Sequence, residues 1–215
     1  MYISRHMEKT LNRTSSMFGA ILVTGARQVG KTTMLQKVEA DIPYVTLDDP
    51  IMLKTAAEDG GLFFKTNPPP VFIDEIQYAP GLFPHMKIHL DKTHKKGQFF
   101  LSGSQQFKLQ KNISESLAGR IGILNLLGLS MRELNAIDFS EAFLPTDEYF
   151  MKRRESAASI DYKSVWGLIH RGSMPEVCIN QEIDWQMYYA SYTKTYIERD
   201  VRELTQVGDE VDRKS

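Results

Sequence analysis

At 215 residues with 42% hydrophobic side chains, the chain can bury a full core and holds one domain with part or all of a second, which excludes intrinsic disorder. Its 26 basic and 27 acidic residues leave a net charge of -1, so a chain-wide basic surface for nucleic acid or anionic lipid is excluded, although a local basic patch is not. The single cysteine, Cys178, closes no internal disulfide and builds no cysteine metal cluster, which fits a reducing cytosol and leaves core packing as its role.

The N-terminus, Met1 to Thr14, carries Arg5, His6, Glu8, Lys9 and Arg13 and lacks the apolar centre of a signal peptide. Apolar runs such as Gly19 to Val23 and Ile121 to Leu129 fall far short of the roughly 20 residues that cross a bilayer as a helix, so the expectation is a cytoplasmic protein with no membrane association. From there the chain alternates short apolar runs with helix-like segments, the pattern of a parallel sheet buried on both faces. Five strands are predicted: Gly19 to Thr24, Tyr44 to Asp48, Val71 to Glu75, Phe99 to Ser104 and Ile121 to Leu127. Met34, Leu35 and Val38 predict a helix from about Lys31 to Ala40; Phe83, Met86 and Leu90 mark another. Leu109, Ile113 and Leu117 repeat at i+4 and end on Gly119 as a C-cap, and Ser130 to Glu133 reads as a capping box. Beyond about Phe143 strand signals stop, which divides the chain into a domain over 1–142 and a helical region over 143–215. There Trp185, Tyr188, Tyr189, Tyr192, Tyr196 and Leu204 share one helical face, a partner segment spans Val165 to Ile169, and Arg171 to Pro175 reads as a turn.

Gly25-Ala26-Arg27-Gln28-Val29-Gly30-Lys31-Thr32, followed by Thr33, matches the whole of the phosphate-binding pattern G-x-x-x-x-G-K-[ST] between a strand and a helix. Glycines let the backbone wrap a phosphate, the helix aims its positive end at it, Lys31 reaches the β- and γ-phosphates, and the Thr32 hydroxyl ligates Mg²⁺. Val71 to Glu75 is an apolar strand that delivers two acids to the end where open α/β sheets bind ligands; Asp74 would hold the metal and Glu75 would activate water. At the tip of the next strand, Ser104 and Gln105 either sense the γ-phosphate or belong to a helix cap.

Arg120 follows a helix end and precedes a strand, where it serves either as a guanidinium offered to a nucleotide of its own or a neighbouring subunit, or as a surface arginine at a C-cap. Glu198 to Asp200 with Arg202 and Glu203 reads as a solvated face of i,i+4 pairs. His85 and His89 have the spacing of a metal pair but no evident third ligand, and Asp91 to Lys96 is a basic tip of the kind that ends a solvated helix.

The segments Val23 to Thr33, Val71 to Gln77, Phe100 to Ser104, Ser116 to Arg120 and Leu129 to Leu134 resemble, in order, a prokaryotic family of AAA-type ATP-binding proteins. Gly172 to Glu176 and Tyr192 to Val201 look like the junction to that family's C-terminal domain, which is of unknown function and has restriction-endonuclease-like relatives. The resemblance implies a P-loop fold with a five-stranded parallel sheet in which the Ser104 strand lies between the phosphate-loop strand and the Asp74 strand. It implies ATP and Mg²⁺ as cofactors, Lys31, Thr32, Asp74, Glu75 and Ser104 as site residues, and Arg120 as an arginine finger within a homo-oligomer. Family members continue further, so the end at Asp209 to Ser215 reads as a truncation. The leading expectation is an ATPase coupled to a partner domain. A nucleotide-binding regulatory module with little hydrolysis and a small-molecule P-loop kinase are the alternatives, and nucleic-acid involvement stays open.

Overall fold

The computed structural model describes residues 2–104, 116–139, 141–157 and 161–197, and the chain divides into two compact units, Met1–Ser159 and Ile160–Ser215. The first unit is built on a five-stranded parallel sheet: β1 Ala20–Thr24, β2 Tyr44–Thr46, β3 Val71–Asp74, β4 Phe99–Gly103 and β5 Ile121–Asn125, in the order β2-β3-β4-β1-β5. Every pairing is parallel, with Ala20 opposite both Phe99 and Ile121, and Ile73 opposite Leu101. Because β4 is inserted between β3 and β1, the chain's fourth strand sits at the centre, between the two strands that carry the phosphate loop and the acids.

All residues of β1, β3 and β4 are buried, which is why they read as continuous apolar runs. Side chains alternate across the sheet. Ala20, Leu22, Val71, Ile73, Phe99 and Leu101 pack on Ala56, Phe63, Phe83, Met86 and Leu90 of three helices, α3 Pro50–Glu58, α4 Gly60–Thr66 and α5 Leu82–Thr93. Ile21, Val23, Phe72 and Phe100 point to the other face and are equally buried. Helix α2, Lys31–Val38, carries the buried Met34 and Leu35, while α1, Met7–Met17, buries Leu11.

The strands and the helices α2 and α5 fall where the apolar pattern puts them, with ends shortened by one or two residues. Helices α1, α3 and α4 carry no predicted element. Each buries a single side chain, so apolar periodicity is weak, although Asp49 followed by Pro50 is a helix start: the Asp49 side chain accepts from the Ile51 backbone N–H at 2.8 Å. The capping box is present, with Ser130 and Glu133 exchanging bonds across α6, Met131–Leu134. Helix α7, Asp147–Glu155, is the last described element of the first unit.

In the second unit α8, Tyr162–Arg171, stops at Gly172, and α9, Pro175–Ile179, begins two residues after the predicted turn's serine. Arg171 donates to the carbonyls of Val177, Asn180 and Ile183, tying that turn together. Cys178 is half-buried, with its thiol 3.5 Å from the Gly172 carbonyl. The tyrosine helix is α10, Trp185–Tyr192, within which Tyr188 and Tyr192 stack with ring centroids 6.3 Å apart, and a π turn over Thr193–Ile197 continues it. The predicted helix around Leu109 and Ile113, Gln105, and the charges from Glu198 to Glu203 lie outside the described residues.

Candidate active site

The phosphate loop leaves the C-terminal end of β1. Gly25 adopts φ +143°, and a Cβ built there would lie 2.2 Å from the Leu126 carbonyl oxygen, so only glycine lets the loop start this close to the chain leaving β5. Gln28 turns with φ 61° and Gly30 with φ 93°, after which α2 begins at Lys31. Lys31 is buried and spans the loop, its Nζ donating to the carbonyls of Ala26 at 2.8 Å and Gly25 at 3.1 Å. Burial holds its pKa below that of a free lysine, and the nearby Glu75 and Asp74 charges partly restore it.

Asp74 ends β3 in a position only 6% exposed. Three hydroxyls converge on its carboxylate: Thr32 donates at 3.0 and 3.1 Å, Tyr44 at 3.1 Å, and the fully buried Ser102 of β4 makes a further short bond. The Tyr44 hydroxyl has its pKa pushed up to about 12 by burial and by the Asp74 charge. One carboxylate beside one hydroxyl is the oxygen donor set that Mg²⁺ accepts when phosphates and water complete its shell, so these residues fit the ion.

Glu75 leaves the strand with φ 57°, a left-handed conformation that costs a non-glycine residue about 1 kcal/mol or more. Gln77, in the tight turn Ile76–Tyr78, donates its side-chain amide to Glu75 and, at 3.4 Å, to the Ser104 hydroxyl. Burial raises the Glu75 pKa, with the Asp74 charge adding to it, while the Gln77 donor and Lys31 pull the other way.

The fold therefore brings Gly25, Ala26, Arg27, Gln28, Val29, Gly30, Lys31, Thr32 and Thr33 together with Asp74, Glu75 and Ser104 at one end of the sheet. Arg120 is not among them. Its carbonyl accepts from the Gly19 and Ala20 backbone N–H groups, which puts it at the N-terminal end of β5. The five steps from there to Asn125, at about 3.3 Å each, separate it from the loop by about 16 Å. Its guanidinium pairs with Asp91 and donates to the Ala118 carbonyl at 3.0 Å. This geometry removes the option that Arg120 serves the nucleotide of its own subunit.

Arg5 belongs to the site's support and has no signal in the sequence. It is 6% exposed and donates to the Val29 carbonyl at 2.9 Å, to the Leu127 and Gly128 carbonyls at 2.6 and 3.2 Å, and to Glu133 at 3.0 Å. Glu133 also accepts from the His6 and Ser130 backbone N–H groups. Burial opposes its ionisation, but these donors outweigh it and lower its pKa.

A family model described as an AAA domain (AAA_14) matches residues 18–135, more than half of the chain. The chain belongs to the AAA domain family. This AAA domain is thus a nucleotide-binding module of the P-loop class, as the loop and its strand order require. The curated relatives include the uncharacterized proteins Mb2031c of Mycobacterium bovis and Rv2008c of Mycobacterium tuberculosis. Each is 29% identical over 196 residues, covering 90% of this chain and 38% of the relative. The chain therefore spans well under half the length of these relatives. Among solved structures, the Walker-type ATPase PABY2304 of Pyrococcus abyssi shares the fold with a TM-score of 0.54 at 14% identity, covering 99% of this chain and 77% of that one.

Elsewhere in the AAA domain, His85 and His89 line a cavity of about 240 Å³ with Gly61, Phe64, Phe99 and Lys92. Among the described residues no three His, Cys, Asp or Glu side chains group as a metal site. Nor is any described helix long and apolar enough to cross a membrane.

Proposed function

We propose that this AAA domain hydrolyses ATP with Mg²⁺ and that the energy released changes the disposition of a partner domain. The observation that carries the reading is the contact between the Thr32 hydroxyl and the Asp74 carboxylate, with Glu75 next in the chain and held by its own donor.

In this mechanism the loop backbone and the N-terminus of α2 hold the phosphates, and Lys31 exchanges its bonds to the Gly25 and Ala26 carbonyls for the β- and γ-phosphate oxygens. Thr32 and Asp74 would hold Mg²⁺, which when bound neutralises charge on the phosphates. Tyr44 and Ser102 fix the orientation of the Asp74 carboxylate from two neighbouring strands. Glu75 accepts a proton from water; the water oxygen bonds to the γ-phosphorus, the bond to the bridging oxygen breaks, and ADP leaves with the electron pair. A raised Glu75 pKa makes it a better proton acceptor than an exposed glutamate.

The test is nucleotide binding by the Lys31→Ala variant. Removing a buried cation from the phosphates is expected to lower Mg·ATP affinity by about 100-fold, and wild-type affinity would refute the site assignment. A second reading, binding with little hydrolysis by a lone subunit, is favoured by the position of Arg120 at the far end of the sheet. If Arg120 completes the site of a neighbouring copy, turnover per subunit rises with protein concentration and Arg120→Ala abolishes the rise; flat turnover in both assigns Arg120 to its Asp91 pair alone.

A further inference from the structure

Gln77 is 9% exposed and sits beside Glu75 without a role in the chemistry so far. Its side-chain nitrogen donates to the Glu75 carboxylate and to Ser104, while its carbonyl oxygen Oε1 is buried with no hydrogen-bond partner. A buried amide oxygen without a donor costs about 1–3 kcal/mol, so a donor that reaches it when nucleotide and water fill the site relieves that cost. The amide cannot be turned around to relieve this. Its oxygen would then face the Glu75 carboxylate, acceptor against acceptor.

Oε1 shares its amide carbon with that nitrogen, so a donor that reaches it comes close to Glu75 and Ser104. Water is the small donor that hydrolysis requires there. We propose that Gln77 is a positioning residue for the attacking water: its nitrogen fixes the Glu75 carboxylate and the Ser104 hydroxyl, and its Oε1 accepts one hydrogen of the water whose other hydrogen faces Glu75. The inference rests on the ATPase reading above. One water proton passes to Glu75, the other stays on the phosphate that forms, and Gln77 neither gains nor loses a proton. Fixing both hydrogens of the water on two acceptors directs an oxygen lone pair toward the γ-phosphorus, the role that a water-positioning glutamine has in phosphoryl transfer.

The experiment compares Gln77→Met, which keeps the buried volume and deletes both amide groups, with wild type and Glu75→Gln in steady-state phosphate release. Mg·ATP affinity, affinity for ADP with aluminium fluoride as the mimic of the transition state, and unfolding midpoint are measured in parallel. The expected result is a kcat lowered about 100-fold, KM and Mg·ATP affinity within about twofold of wild type, and a parallel loss of affinity for the fluoroaluminate complex. Gln77→Glu, which keeps the length and turns the donor into an acceptor, gives the same loss of kcat and covers the case in which the methionine variant fails to fold. A kcat within about threefold of wild type, or equal losses in ground-state affinity and kcat, overturns the proposal. Undiminished turnover in Glu75→Gln overturns the proposal by assigning the water-activating role elsewhere, whereas absence of phosphate release by wild type with Mg·ATP bound overturns the ATPase reading itself, which separates the two failures.

Discussion

Replacing Arg5 by Met should unlock the phosphate loop from behind. The guanidinium is 95% buried at its side chain, as is Glu133 to within a per cent, and it joins three stretches of chain: the loop at Val29, the segment after β5 at Leu127 and Gly128, and α6 at Glu133. Removing one partner of a buried ion pair costs about 3–5 kcal/mol, because the surviving charge stays desolvated. Glu133 keeps its donors from His6 and Ser130, so the lower end, about 3 kcal/mol, is expected. For a unit of this size that corresponds to a fall in unfolding midpoint of about 6–12 °C. Urea unfolding followed by circular dichroism measures the free-energy loss, and a thermal melt measures the midpoint.

The effect also depends on pH. Glu133 has a lowered pKa in the folded state, so its contribution is present above the ordinary glutamate value of about 4.3 and is lost as pH falls through the folded value. In Arg5→Met that acid-side loss becomes smaller, since part of the lowering comes from Arg5. A variant within about 0.5 kcal/mol of wild type, the range of neutral surface changes, would refute the claim that this pair holds the loop.

Three further outcomes follow from the same geometry. Gly25→Ala forces a Cβ against the Leu126 carbonyl at a left-handed φ, and the loop should be destabilised by about 3 kcal/mol and lose nucleotide binding; an unchanged unfolding midpoint would contradict the close approach. Tyr44→Phe removes one of the donors orienting Asp74 and should raise the Mg²⁺ concentration needed for half-maximal ATP binding by about tenfold, as outer-shell losses do, whereas an unaltered Mg²⁺ titration would place Tyr44 outside the metal's support. Arg120→Ala breaks an exposed pair with Asp91 and an exposed bond to the Ala118 carbonyl, so stability should change by less than about 1 kcal/mol in urea unfolding; a larger loss would mean that the arginine holds the fold.

The loop and the two acids were legible because each is local: a strand's apolar run, a glycine spacing, and carboxylates at a strand end are all read within ten residues. The strand order was legible through family resemblance, and it is this order that gives Ser102 and Tyr44 their meaning. Neither carries a local signal, since each reaches Asp74 across a strand boundary that chain order does not reveal. Arg5 and Glu133 are 128 residues apart, and a lone arginine before a polar helix looks like any solvated charge. Arg120 shows the converse: its neighbours in sequence suit a finger as well as a C-cap, and parallel pairing fixes it to the N-terminal end of the sheet, away from its own loop, which leaves only a neighbouring subunit for the finger role proposed above. Gln77 stood within the quoted motif, yet only its buried, unsatisfied oxygen gives it a function.

The central claim is that Glu75 activates water at a site formed by the phosphate loop and Asp74. Single-turnover cleavage of radiolabelled Mg·ATP by Glu75→Gln, at protein concentrations above the dissociation constant, tests it most directly. The account predicts that ATP stays bound with wild-type affinity and that its cleavage slows by about 100-fold or more. Cleavage at the wild-type rate with ATP bound would contradict it.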